Sequence, residues 1–353
     1  ASFTCRYNTT ARMNLKTCIT SLLILISTAL RCIAQDGTTA YEFLNVTQSS
    51  HAYALGGVNL TVIDDDINLV EQNPALLGPE FETQAGLSYM RYLGGSNFMG
   101  ARFTSPVNDH SAWAAGIQYF GYGSMTAADP DGTVTGTFSP SDIAFTGTFS
   151  HDINDNWRGG ITMKFVYSSY EAYNAMAICA DLGVNYYNPD NDFSFSFVMK
   201  NLGGQVKKFN ENYNKLPWDI QAGISKSLNN SPIRFSITAI HLNKWKLPYY
   251  DRENENSSTS ELVKKNSFVS NLFRHLIFAA EYVPSEKFYI GLGYNYKTRT
   301  DMVTYARNFL SGFSVGAGLK VKAMGFGVAL SQPHIGGTTF MFNLTASISE
   351  MMR

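Results

Sequence analysis

From residue 84 onward, apolar side chains occupy alternate positions of the chain in segment after segment. Phe313, Val315, Ala317, Leu319 and Val321, for example, are separated by single small or polar residues. A period of two places the apolar side chains on one face of a β-strand and the polar ones on the other. Repeated segments of about ten such residues are typical of a transmembrane β-barrel, with lipid outside and a polar interior.

The same rule predicts about fourteen strands, and an even number is what closure of one chain into an up-and-down antiparallel barrel normally requires. The predicted fold class is therefore all-β, a transmembrane antiparallel up-and-down β-barrel. The predicted strands span roughly residues 83–92, 96–105, 112–122, 142–151, 157–168, 175–187, 192–201, 218–226, 233–243, 273–284, 287–298, 310–321, 323–331 and 338–348.

The connections between these strands separate by length. Those after even-numbered strands are short turns, whereas those after odd-numbered strands include four long segments. Outer-membrane barrels combine short periplasmic turns with longer outer loops. If the first strand starts at the periplasm, the protein is expected in the outer membrane of a Gram-negative bacterium, with its loops exposed at the cell surface. The long connections are residues 123–141, 202–217, 244–272 and 299–309.

Residues 1–34 have the features of a secretory signal peptide that is removed. Lys16 precedes an apolar run near residues 19–30, and a small-residue cleavage site ends at Ala34. Residues 1–12 lie before Met13, the expected initiator. Residues 35–82 are expected to form an N-terminal segment packed in or under the barrel, which occupies residues 83–353. Only Cys179 follows the predicted cleavage site, so no disulfide within the chain is expected.

Composition agrees with a barrel and excludes other classes. Only 16% of the 353 residues are charged while 14% are aromatic, and the mean hydropathy of −0.12 is too low for a bundle of transmembrane helices. The net charge of −1 leaves no basic excess to hold nucleic acid.

Nine charged residues fall on the polar face of the predicted strands, which is the lumen side of a membrane barrel. On the lipid face, a basic side chain near the bilayer midplane would cost about 2–4 kcal/mol. Because both signs occur, we predict a network of lumen ion pairs, with the lining of a selective pore as the alternative. The nine residues are Asp142, Lys164, Asp181, Lys200, Asp219, Arg234, Glu281, Lys297 and Lys320.

No set of residues points to catalysis. The sequence contains no Gly-x-Ser-x-Gly motif and no histidines at metal-ligand spacing. Asp64, Asp65 and Asp66 are either a helix cap or calcium ligands, and the cap is favoured because further oxygen ligands at regular spacing are missing. We therefore predict that the protein is not an enzyme and uses no cofactor or metal.

The connection 244–272 combines aromatic residues with cations. Such residues on an exposed loop are typical of anchors in protein interfaces, and the alternative is that the aromatic rings only rest on the barrel rim. Two lysines in the connection 202–217 are weaker candidates of the same kind. The candidate partner-binding residues are Lys207, Lys208, Trp245, Lys246, Tyr249 and Tyr250.

Several strings resemble known outer-membrane families. Residues 54–58, with Asp65-Asp66 and residues 73–75, are similar to the start of the fatty-acid transporter-like barrels. More specific strings resemble the PorQ family, outer-membrane components of the type IX secretion system. These strings lie at residues 88–93, 113–120, 136–139, 200–205 and 241–245.

The resemblance implies a non-catalytic anchor in the attachment complex of that system. Such a protein is expected to tether a PorZ-like surface protein, which works with a PorU-like sortase and a PorV-like shuttle to attach secreted cargo to lipopolysaccharide. The alternative is an outer-membrane transporter of hydrophobic small molecules. That alternative needs an apolar lumen pocket, whereas the inward positions consist mainly of Gly, Ser, Thr and charges. A lipid hydrolase is a third hypothesis, for which no residue stands out.

Overall fold

The computed structural model describes residues 39–352, apart from residues 130, 172, 210–212, 248, 253–261, 266, 302–309 and 335–336. The side chains of residues 249–252, 262–265 and 334 are also outside the description. The predicted signal peptide, residues 1–34, lies outside the described residues.

Alternating polarity closes into the predicted barrel. Each strand pairs antiparallel with its neighbours in sequence, and the last pairs with the first, so all fourteen strands form one closed sheet. The predicted fold class is confirmed. The barrel strands, numbered in chain order, are β1 Gln84–Arg91, β2 Asn97–Asn108, β3 Ser111–Gly121, β4 Ser141–Asn154, β5 Trp157–Tyr170, β6 Tyr173–Asn188, β7 Phe193–Lys207, β8 Asp219–Ser227, β9 Ile233–Ala239, β10 Leu276–Ser285, β11 Phe288–Asn295, β12 Phe313–Val321, β13 Met324–His334 and β14 Gly337–Ser347.

The outward face of the barrel is an apolar band. Leu87, Phe145 and Leu292 each leave half or more of their surface exposed, while the residues beside them in the strands are buried. A band of exposed aliphatic and aromatic side chains on the outer wall is what lipid contact requires. The fold is thus of the type found in outer-membrane proteins.

The two ends of the barrel differ as predicted. At one end, the short-turn end, the connections between strands contain two to five residues. At the other, the long-loop end, the connections include two small hairpins and two helices, α2 Phe268–His275 and α3 Tyr296–Asp301. The outer hairpins are Met125–Ala128 with Val134–Phe138, and Tyr249–Arg252 with Leu262–Lys265.

Some predicted boundaries are wrong. Strand β7 continues to Lys207 and takes up residues that were predicted to be a loop. The predicted strands 273–284 and 287–298 include residues that belong to α2 and α3, because apolar residues before β10 and after β11 continue the strand pattern past the rim of the sheet. The remaining helices are α1 Ser50–Ala54 and α4 Ile348–Met351. None of the described helices is long and apolar enough to cross a membrane.

Residues 39–82, which we name the plug, run through the lumen. Thr39 forms an isolated β-bridge with Lys215 at the long-loop end. Glu80 forms an ion pair with Arg158 at the short-turn end. The described part of the N-terminal segment therefore lies inside the barrel, entering it from the long-loop end. Its 3-10 turns are Glu42–Asn45, Ile67–Glu71, Pro74–Leu76 and Pro79–Phe81, and Asp66 caps the second turn by accepting from Asn68 N.

Two inward-facing glycines mark where the plug backbone meets the wall. A Cβ atom on Gly293 would lie 2.2 Å from the backbone nitrogen of Gly56, and one on Gly160 would lie 2.5 Å from the carbonyl oxygen of Pro74. A side chain at either position would push the plug off the wall. The small inward residues thus provide room for the plug.

Candidate functional site

The centre of the lumen holds a buried charge cluster between the plug and the wall. His51 of α1 places Nε2 2.5 Å from Glu281 Oε1 and Nδ1 3.1 Å from Asp64 Oδ2. Arg234 donates to both carboxylate oxygens of Glu281 at 2.9 and 3.0 Å, and the Tyr289 ring stacks on His51 with 3.6 Å between centroids. This cluster joins the plug to β9, β10 and β11.

Two carboxylates determine the charge of His51. Burial by itself lowers the pKa of this imidazole, but Glu281 and Asp64 outweigh burial and raise the pKa above its ordinary value. The ring is therefore a cation at neutral pH, and it adds a second positive charge beside Glu281, which also pairs with Arg234, and a counter-charge for Asp64.

A second group of ion pairs lies against β5, β6 and β7. Lys200 Nζ is 2.9 Å from Glu71 Oε1 in the plug, and Lys164 Nζ is 2.7 Å from Asp181 Oδ2. Asn201 accepts a further hydrogen bond from Lys164 at 2.9 Å. All of these side chains are buried. We name this group and the His51 cluster together the ion-pair layer.

Three other predicted network residues have polar or charged partners outside the ion-pair layer. Asp219 lies 3.3 Å from His241 Nδ1, and Asp142 accepts hydrogen bonds from the hydroxyls of Tyr122 and Tyr170 at 2.5 and 2.8 Å. Lys320 contacts Asp65 of the plug at the short-turn end.

The assignment of Lys297 to the lumen is wrong. β11 ends at Asn295, so Lys297 lies in α3, where it pairs with Asp301 at 2.5 Å on a partly exposed surface. The alternation of inward and outward side chains holds only within a strand. Beyond the end of β11 it no longer predicts that Lys297 faces the lumen.

Toward the long-loop end, the lumen becomes apolar. Phe43 and Leu44 of the plug are buried in a cluster whose barrel residues are mostly apolar. We name this cluster the apolar chamber; its wall includes Met90, Phe98, Phe120, Ala144, Val166, Ala177 and Met341. The expected inward residues, mainly Gly, Ser, Thr and charges, therefore do not describe this level of the barrel, where apolar side chains line the lumen.

Arg102 lies where the chamber meets the ion-pair layer. Its Nη2 donates to Gln48 Oε1 of the plug at 3.2 Å, whereas Nε and Nη1 have no hydrogen-bond partner among the described residues. The neighbouring Gln118 is fully buried, and neither of its amide atoms has a partner in the same part of the chain. Four buried polar atoms at this border therefore have no hydrogen-bond partner among the described residues.

At the short-turn end, a small cleft separates the plug from β12, β13 and β14. It is lined by Asp64, Asp65 and Asp66 together with Lys320, and it encloses about 60 Å³. Within the described ranges, no three His, Cys, Asp or Glu side chains are grouped so that they could hold a metal ion.

The candidate partner-binding residues lie at the long-loop end, but they are not brought together. Trp245 is 47% exposed, and its ring stacks on His275 with 5.2 Å between centroids. Lys246 is exposed. Lys207 and Lys208 end β7 and begin the next connection, and both are exposed. Tyr249 and Tyr250 form one strand of an outer hairpin, and their side chains lie outside the described residues.

Sequence reasoning missed the plug residues of three plug–wall contacts. His51, Glu71 and Gln48 were not singled out, although they bind Glu281, Lys200 and Arg102 respectively. The available signal was the clustering of polar residues among the small and apolar ones of residues 48–73.

Comparison with known proteins finds likenesses to solved structures at low sequence identity. No family model and no curated protein sequence matches the chain. Similar solved structures include the Pseudomonas putida toluene transporter TodX, with 12% identity over 85% of this chain and 96% of that chain and a TM-score of 0.49. A Pseudomonas aeruginosa FadL homologue has 12% identity over 85% and 98% of the two chains and a TM-score of 0.47. Likeness at this level carries no conclusion about function, and the narrower resemblance to the PorQ family stays a prediction.

Proposed function

We propose that this protein is a non-catalytic outer-membrane anchor whose long-loop end holds a surface protein. The observation that supports the proposal is the bonded plug, which fills the lumen and is joined to β7 and β10 by buried ion pairs. Removing one partner of a buried ion pair costs about 3–5 kcal/mol, so the plug is held in place by contacts that are costly to break. In a barrel filled in this way, the loops are accessible to a partner, whereas the interior is occupied by the plug.

The narrower form of the proposal takes its partners from the sequence resemblance. A PorZ-like surface protein would be the direct partner, with a PorU-like sortase and a PorV-like shuttle in the same complex, so that cargo is attached to lipopolysaccharide. The exposed Trp245 and Lys246 supply an aromatic ring and a charge of the kind that anchors protein interfaces.

The test is affinity purification from gently solubilised outer membrane. The wild-type chain is expected to recover a large surface protein in stoichiometric amount, and a Trp245→Ala, Lys246→Ala double variant is expected to lose most of it. Trp157→Ala serves as the control, because Trp157 is also partly exposed but lies at the short-turn end. Absence of a surface protein from the wild-type sample would overturn the anchor, and full retention by the double variant would overturn the loop assignment.

A second candidate function, transport of a hydrophobic small molecule, is favoured by the apolar chamber next to Arg102. TodX, which this chain resembles in structure, is a toluene transporter. An apolar molecule with an anionic group would place its apolar part in the chamber and its charge on the guanidinium once Phe43 and Leu44 withdraw.

Mass spectrometry of the purified protein tests this second candidate. A stoichiometric amphiphile in the wild-type sample that is lost from Arg102→Met would establish it. A sample that contains a surface protein and no such molecule would leave the anchor as the function.

A further inference from the structure

Helix α2, which joins an outer hairpin to β10, has an exposed apolar face. Phe268, Val269, Leu272 and Phe273 leave 67%, 59%, 38% and 42% of their surface exposed. Residues at this spacing project from the same side of a helix. Four large apolar side chains on one face of an eight-residue helix form a continuous surface that water does not stabilise.

The opposite face of α2 is bonded to the barrel rim. Asn271 accepts a hydrogen bond from Leu247 N at 3.3 Å, and Arg274 pairs with Asp301 at 2.5 Å. The two ring nitrogens of His275 lie 2.7 and 3.1 Å from the carbonyl oxygens of Ile240 and Trp245. With these contacts on one side, the helix cannot rotate its apolar side chains inward.

The apolar face of α2 is continuous with the outward face of the barrel. Phe273 contacts Phe278 of β10, with 6.3 Å between ring centroids, and Tyr296 of α3, at 6.0 Å. Phe278 faces outward, because its neighbours Ile277 and Ala279 are buried on the lumen side. Its cross-strand partner Tyr294 continues the row of aromatic rings along the rim.

From this continuity we infer that the apolar face of α2 is immersed in the acyl chains of the outer leaflet and holds the adjoining hairpin against the membrane surface. Helices that lie in a membrane interface combine one apolar face, rich in aromatic and aliphatic residues, with a polar face. The occupant of this surface is lipid rather than a protein.

Site-directed nitroxide labelling tests the inference. A single cysteine replaces Val269 in a variant whose native cysteines are removed, and the protein is reconstituted in phosphatidylcholine–phosphatidylglycerol vesicles. Leu292→Cys provides the lipid reference, since this side chain faces outward from the barrel wall, and Val134→Cys, 66% exposed on the other outer hairpin, provides the aqueous reference.

The label at residue 269 is expected to collide with oxygen as often as the label at 292, and several-fold less with a water-soluble nickel chelate than the label at 134. Chelate access equal to that at 134 would overturn the inference. Shielding from both reagents would also overturn it, because a protein surface would then cover the helix. The result is independent of whether a surface partner copurifies with the barrel.

Discussion

The two halves of the lumen are filled by one plug in opposite ways. In the apolar chamber, Phe43 and Leu44 of the plug pack among apolar wall residues. In the ion-pair layer, His51 and Glu71 bind wall residues at distances below 3 Å. Apolar packing tolerates exchanges that keep the volume, whereas a buried ion pair tolerates neither loss of a partner nor a shift in register. The charged half therefore determines where the plug sits, and the apolar half fills the remaining space.

The largest expected effect tests the charged half. Glu281→Gln removes the carboxylate that pairs with both His51 and Arg234, and loss of one partner from a buried pair costs about 3–5 kcal/mol. Thermal unfolding of the purified barrel in detergent measures the loss. Glu286→Gln, in the exposed turn after the same strand, should change stability by less than about 0.5 kcal/mol. Equal effects would show that the ion-pair layer contributes no more than a surface charge.

The packing of the apolar half is tested by changing the volume of one plug side chain. Leu44→Ala leaves a cavity in the chamber and should cost about 3 kcal/mol, whereas Leu44→Met keeps the volume and should cost less than about 1.5 kcal/mol. The same unfolding measurement compares them. If methionine is as damaging as alanine, the chamber requires one side-chain shape and the contrast with the charged half is wrong.

The pH dependence of stability distinguishes the charged half of the lumen from the apolar half without changing the volume of any side chain. The pKa of His51 is raised in the folded protein, so its stabilising contribution is complete below the ordinary pKa of about 6.5. As the pH rises through the raised pKa, this contribution is lost, at about 1.4 kcal/mol for each unit of pKa elevation.

The measurement is stability in detergent from pH 6 to alkaline pH, for the wild type and for His51→Gln. The fall with rising pH should be smaller in the variant. In Leu44→Ala it should match the wild type, since this substitution leaves His51, Glu281 and Asp64 in place. Parallel curves for all three proteins would exclude His51 as the titrating group.

The smallest effect concerns a charge outside the lumen. Lys297→Gln breaks a partly exposed pair within one turn of α3 and should cost about 0.3–0.5 kcal/mol. Lys200→Gln, which leaves Glu71 buried without its cation, should cost several times more. A large effect at Lys297 would mean that the fold of α3 depends on its pair with Asp301.

Much of the barrel could be predicted from the sequence because its rule is local. The strand count, the closure and the sorting of long and short connections all follow from a two-residue period and from turn residues. The two-residue period gave wrong strand ends at the rim. Phe273 and Lys297 continue the alternating pattern in the sequence but lie in α2 and α3. Period alone cannot show where the sheet stops, because the end of a strand is set by its neighbours' hydrogen bonds.

By itself, the sequence determined which side chains face lipid and which face the lumen, since each residue's direction depends on its immediate neighbours. Only the tertiary structure decided how the lumen is filled. Glu281 meets His51 across 230 residues of chain, and Asn343 accepts from Ser50 N across 293. Such pairs leave no periodic pattern or fixed spacing in the sequence from which they could be predicted. Their geometry exists only once the sheet has closed around the plug, because desolvation then makes each buried charge dependent on its partner.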